Sequence, residues 1–95
     1  SDYAEIARIC VQLGQTDRAE EYINRILATL KKHMIESEKE NKSKILYSTT
    51  LRNAVPTEQI CKKLLQNMVN ISEFEQFKDK ISALQSRYEE YIFQT

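Results

Sequence analysis

The stretch SEFEQFKDKISALQSRYEEYIF, residues 72–93, carries the most regular pattern in the chain. Its large apolar residues recur at alternating spacings of three and four, at Phe74, Phe77, Ile81, Leu84, Tyr88 and Tyr91. This spacing places the six side chains on one face of an α-helix. Ser72 and Glu75 have the form of a capping box, which predicts that the helix begins there. Such a stripe suits either a core helix, the more common case, or a partner-binding helix.

The end of this stretch is apolar around its whole circumference, because Ile92 and Phe93 follow Tyr91 directly. An apolar helix end of this kind usually needs cover. We therefore predict that the stripe and its end bind a partner. The candidate partner-binding residues are Phe74, Phe77, Ile81, Leu84, Tyr88, Tyr91, Ile92 and Phe93.

Working outward, breakers of regular structure are scarce, since Gly14 and Pro56 are the one glycine and the one proline in 95 residues. This scarcity predicts an all-α fold of four to five helices. We expect a helical hairpin followed by further antiparallel helices, arranged as a bundle or as the end of a solenoid. The length suits a single domain over 1–95, divided into a hairpin (1–35), a polar segment (36–44) and C-terminal helices (45–95).

Two apolar stripes predict the hairpin. The first, on a helix over 2–13, consists of Tyr3, Ile6, Cys10 and Leu13. The second, on a helix that begins at Thr16 or Asp17, consists of Ala19, Ile23, Ile26 and Leu30, with Leu27 widening the face. Gly14 lies between them and predicts a turn, because glycine adopts the left-handed conformation at little cost.

The polar segment 36–44 contains no apolar side chain. The cations at 31–33 suit a helix C-terminus just before it. Its Glu and Lys residues favour a continuous solvated helix, whereas its Ser and Asn residues favour a loop, and both alternatives stay open.

After this segment, apolar residues within 45–55 predict a further helix, and Pro56 predicts a boundary. Thr57 is the predicted cap of the helix that follows, and its apolar residues are Ile60, Cys61, Leu64, Leu65 and Met68.

The hairpin resembles a tetratricopeptide repeat over residues 3–34. The matching residues are Tyr3, Ile6, Ala7, Cys10, Gly14, Ala19, Ile23 and Ile26. The chain departs from the family pattern at Ile26, where a small residue is usual, and residues 45–95 hold no second copy. The resemblance implies the C-terminal end of a helical solenoid with capping helices, and a chance helical hairpin is the alternative. None of the family's peptide-binding residues is carried over.

The formal charge is zero overall but is unevenly distributed along the chain. Residues 1–30 and 73–95 each carry −2, and residues 31–72 carry +4. The basic residues of the middle are Lys31, Lys32, Lys39, Lys42, Lys44, Arg52, Lys62 and Lys63. The acidic residues Glu36, Glu38 and Glu40 interleave with them and weaken their field, so nucleic acid is an unlikely partner. Nucleic-acid binding through 31–63 is the alternative function.

The residues that reactive chemistry requires are sparse. His33 is the one histidine, and Cys10 and Cys61 lie far apart outside any metal-binding spacing. We therefore expect no catalytic residue, no metal, no cofactor and no small-molecule substrate. The short apolar runs exclude a membrane span, and the charged first stripe predicts no secretory signal, so we expect an intracellular location. The predicted function is non-catalytic protein–protein interaction or assembly, with another protein or a second copy of the chain as partner.

Overall fold

Helices make up nearly all of the computed structural model, which describes residues 2–47 and 56–94, with side chains over 2–37, at 39 and over 59–87. The α-helices are α1 (Tyr3–Gln12), α2 (Thr16–Tyr47), α3 (Pro56–Val69) and α4 (Lys78–Gln94). A 3₁₀ helix (Ser72–Phe77) leads directly into α4. No strand occurs within these residues, and the all-α prediction is confirmed.

The turn between α1 and α2 is built around Gly14. Its φ of 76° is the left-handed value that the sequence predicts for this position. The Gln15 amide donates to the Cys10 carbonyl at 2.8 Å, and the Gly14 amide donates to the Val11 carbonyl at 3.0 Å. These two bonds form a Schellman motif, which satisfies the last carbonyls of α1. Helix α2 then begins at Thr16, one of the two predicted positions.

Helix α2 continues without a break through 36–44, so the helical alternative for the polar segment is the one found. The prediction that a helix ends near the cations at 31–33 is therefore wrong. A helix of 32 residues spans about 48 Å, close to the 51 Å longest dimension of the molecule. Near the start of the polar segment Ser37 is buried, so the helix is not exposed on all sides there. Helix α2 contacts α1, α3 and α4 and is the element against which the others assemble.

One core unites the helices. Its members are Ala7, Cys10, Ala19, Ile23, Leu30, Met34, Cys61, Leu65, Met68, Phe74, Phe77, Ile81 and Leu84. Ala7 and Ala19 have no exposed surface, and small residues of this kind let helix backbones approach closely. In α2 the predicted stripe is buried or partly buried throughout.

The predicted stripe of α1 is wrong at its two ends. Tyr3 is 43% exposed and Leu13 is 68% exposed, whereas Ala7 and Cys10 are buried. Because small side chains form the close contact, the buried face is centred on Ala7 and the large residues lie at its edges. The Tyr3 ring instead lies against the Tyr22 ring, with centroids 5.6 Å apart.

The predicted capping box is also wrong. The residue that precedes the 3₁₀ helix is Ile71, no side chain caps this end, and the Ser72 hydroxyl donates to the Glu73 carboxylate at 2.9 Å. Phe74 and Phe77 are nevertheless buried, because residues three apart align in a 3₁₀ helix just as they share a face in an α-helix. The predicted single helix is therefore a 3₁₀ turn followed by α4.

Helix α3 begins at Pro56, a residue favoured at the first helical position, so Thr57 lies inside the helix and is not its cap. The predicted boundary at the proline is confirmed. The helix predicted over 45–55 is found for 45–47, where α2 ends, and positions 48–55 lie outside the described residues.

Candidate functional site

The predicted partner-binding face divides into two parts. Phe74, Phe77, Ile81 and Leu84 are all buried in the core. These four side chains therefore stabilise the fold from inside, as in the core alternative. The side chains of Tyr88, Tyr91, Ile92 and Phe93 lie outside the described residues, although their backbone belongs to α4. Partner binding by this end of α4 stays a prediction.

Large apolar side chains are exposed on α3. Ile60 is 60% exposed and Leu64 is 45% exposed, and a spacing of four residues places them together on the helix surface. Lys63, also exposed, lies three residues after Ile60 and beside Leu64. We call Ile60, Lys63 and Leu64 the α3 stripe. It has an apolar centre with a basic edge.

A second exposed apolar stripe lies on α1. Ile9 is 46% exposed, Leu13 is 68% exposed, and Glu5 precedes Ile9 by four residues on the same row. We call Glu5, Ile9 and Leu13 the α1 stripe. It has an apolar centre with an acidic edge.

An ion pair joins α1 to the C-terminal half. The Arg8 guanidinium donates to the Glu73 carboxylate at 2.7 Å and lies 3.2 Å from Glu5. The Ser72 hydroxyl, followed by Arg8, holds the pKa of Glu73 below its usual range, and the bond to Glu73 raises the pKa of Arg8. Both effects favour the charged forms that make the pair.

The orientation of the α1 stripe follows from this pair. At 100° per residue, Ile9 and Leu13 lie about 100° and 140° around the helix from Arg8. Since Arg8 faces the 3₁₀ helix through Glu73, Ile9 and Leu13 are turned away from the 3₁₀ helix, whereas Glu5 stays beside Arg8. The stripe is thus held in a fixed direction on the outside of the molecule.

Polar contacts also tie the start of α4 to its neighbours. The Lys80 ammonium donates to the Glu20 carboxylate at 2.8 Å and to the Asn24 side-chain oxygen at 3.1 Å. The Gln85 amide donates to the Gln66 side-chain oxygen at 2.8 Å and joins α4 to α3. The Lys80 contacts join α4 to α2, and the Gln85–Gln66 bond joins α3, which carries the α3 stripe, to α4.

The predicted basic stretch is partly described. Lys31, Lys32, Lys39, Lys62 and Lys63 are exposed, and the side chains of Lys42, Lys44 and Arg52 lie outside the described residues. On α2 the charge is mixed, because the exposed Glu36 lies between Lys32 and Lys39 along the helix. Mixed charge of this kind weakens the field that nucleic-acid binding requires.

Reactive groups form no cluster in the described part of the chain. Both cysteines are buried thiols, and no group of three His, Cys, Asp or Glu residues there is arranged to hold a metal ion. Among the same residues, no helix is both long and apolar enough to cross a membrane.

The sequence pattern did not single out the two exposed stripes. Ile9 is not part of the apolar spacing that defines the predicted α1 stripe, and Ile60 and Leu64 are adjacent in sequence to the buried residues Cys61 and Leu65. The signal present in the sequence was an excess of apolar residues over what one helix face can bury. No protein-family model matches the chain, and comparison with curated proteins and with solved structures finds no significant match.

Proposed function

We propose that the chain is a non-catalytic protein–protein interaction or assembly domain that binds through the α1 stripe and the α3 stripe. The observation that carries this proposal is the pairing of exposed apolar side chains one turn apart on two helices. Single exposed apolar residues are common on protein surfaces, but adjacent ones with a charged edge are typical of contact sites. The charged edges supply the polar rim that such contacts have.

The hairpin supports the same proposal. Ala7 on α1 and Ala19 on α2 have no exposed surface, and close packing of the two helices at small residues is what the resemblance to a tetratricopeptide repeat implies. Helical repeats pack side by side, and each covers the exposed face of its neighbour. An uncovered apolar row on α1 suits a helical hairpin that packs against another helical element.

Site-specific photocrosslinking tests the proposal. Chains that carry benzoylphenylalanine in place of Leu13 or Leu64 are irradiated in extract of the source cells, and a chain labelled at the exposed Gln76 is the control. We expect discrete protein adducts from positions 13 and 64 and not from 76. Adduct patterns that do not differ among the three positions would overturn the proposal.

A further inference from the structure

The two exposed stripes have opposite charges at their edges. Glu5 lies on the α1 stripe, where it shares the Arg8 guanidinium with Glu73, so that these three side chains carry a net charge of −1, and Lys63 lies on the α3 stripe. Complementary charge across an interface guides association and selects the correct partner.

Each copy of the chain therefore offers both halves of one contact. Pairing α1 stripe with α1 stripe, or α3 stripe with α3 stripe, joins surfaces of like charge. Pairing the α1 stripe of one copy with the α3 stripe of another joins apolar centre to apolar centre and places acid near base. Specificity of this kind arises from disfavouring the wrong pairs as well as favouring the right one.

We propose that a second copy of the chain is the occupant of both stripes: the α1 stripe of one copy docks head to tail on the α3 stripe of the next. This inference rests on the proposed function and names its partner. A head-to-tail contact uses different surfaces on its two sides, so each added copy leaves one stripe of each kind open. The assembly grows beyond a dimer, into a ring if the rotation closes and into a filament if it does not.

The contact is small, because the four apolar side chains at its centre are already about half covered. Interfaces of this size belong to the weak, transient class. We therefore expect self-association with a dissociation constant of about 0.1–1 mM. It should weaken as salt is added, because the charged edges are exposed to solvent.

Sedimentation of two blocked variants tests the pairing rule. Leu13→Asp blocks the α1 stripe and Leu64→Asp blocks the α3 stripe, and Gln76→Asp adds the same charge at an exposed control position. We expect each blocked variant alone to associate at least about tenfold more weakly than the unmodified chain. An equimolar mixture of the two should form a dimer and nothing larger, since it holds one intact stripe of each kind. The control should associate like the unmodified chain.

A charge exchange provides a second test that leaves the apolar centres intact. Glu5→Lys and Lys63→Glu should each weaken association about fivefold. The double variant should recover it, because every contact again joins opposite charges. Circular dichroism of each variant verifies that the helices are intact, and this second set decides the question if an aspartate variant does not fold.

Each outcome has a defined meaning. Association of Leu64→Asp alone at the unmodified strength, or a mixture that stays monomeric, would overturn the head-to-tail pairing. An unmodified chain that is monomeric at about 1 mM would overturn self-association. In that case, photocrosslinked adducts to another protein from positions 13 and 64 would still support the proposed function. If neither self-association nor such adducts were observed, the head-to-tail pairing and the proposed function would both be overturned.

Discussion

Substitution of Gly14 isolates the energetic cost of a left-handed residue. Gly14 has φ of 76°, and a Cβ added there would meet nothing within 4 Å. Neighbouring atoms therefore contribute no steric penalty to Gly14→Ala. The whole cost is local, since an L-residue in this region brings its Cβ close to its own backbone, and it amounts to about 1–2 kcal/mol.

This cost converts to a measurable shift in thermal stability. For a domain of this size, 1 kcal/mol lowers Tm by roughly 4–8 °C, so Gly14→Ala should lower it by roughly 4–16 °C. Gly14→Asn should cost less, because asparagine visits the left-handed region more readily. Gly14→Val should cost most, because a β-branched side chain is least compatible with positive φ.

Urea unfolding followed by far-ultraviolet circular dichroism measures these differences. The slope of the free energy with urea should stay constant, since the surface exposed on unfolding does not change. A synthetic chain with D-alanine at position 14 is the decisive control, because D-residues prefer positive φ and the substitution should then be neutral or stabilising. Equal stability of the L-alanine and glycine chains, or equal losses for L- and D-alanine, would refute the reasoning.

Three further predictions concern burial, pH and capping. Ile81→Ala should lower the free energy of unfolding by about 2–5 kcal/mol because the side chain is fully buried. The matched change Ile60→Ala should cost no more than about 0.5 kcal/mol in the monomer, and equal losses would contradict the assigned burial. Because its pKa is lowered in the folded state, Glu73 contributes stability that is complete above pH of about 4.3 and is lost as pH falls through the lower folded value. Unfolding curves of Glu73→Gln and the unmodified chain should therefore differ at neutral pH and converge in acid, and a constant difference would count against stabilisation of the Glu73 carboxylate by Ser72 and Arg8. Asp2→Ala should cost about 0.5–2 kcal/mol through loss of the α1 cap, while Asp2→Asn retains most of the stability, as thermal unfolding would verify.

Local chemistry explains the parts of the fold that the sequence predicts well. The position of Gly14 predicts the turn, since few other residues adopt positive φ, and the hydrogen bonds of the Schellman motif follow from that φ. The α2 stripe is predicted because Ala19, Ile23 and Leu30 repeat at helical spacing, and all three are buried. Each of these features depends on a few consecutive residues.

Other features depend on which element packs where, and a single sequence does not reveal that. Whether Ala7 or Tyr3 lies at the centre of the α1 contact depends on how closely α2 approaches. Phe74 and Phe77 do not distinguish a 3₁₀ helix from an α-helix over 72–77, because a spacing of three places both rings on one face in either helix. The same limit applies to the candidate site, since the spacing of Ile81 and Leu84 is compatible with both a core helix and a partner-binding helix.

The α3 stripe shows why an exposed surface can nevertheless leave a trace in the sequence. The buried residues Cys61, Leu65 and Met68 define the centre of the buried face of α3. Measured around the helix axis from this centre, Ile60 lies at about 110° and Leu64 at about 70°. Neighbouring elements cover the core side of α3, and the apolar arc extends beyond what they bury. When the apolar arc of a helix is wider than the part that the other helices of the chain bury, the uncovered part indicates where a further helix fits. The width of this arc follows from the spacing of the apolar residues in the sequence. The opposite charges at the edges of the α1 and α3 stripes then make a second copy of the chain the partner to test first.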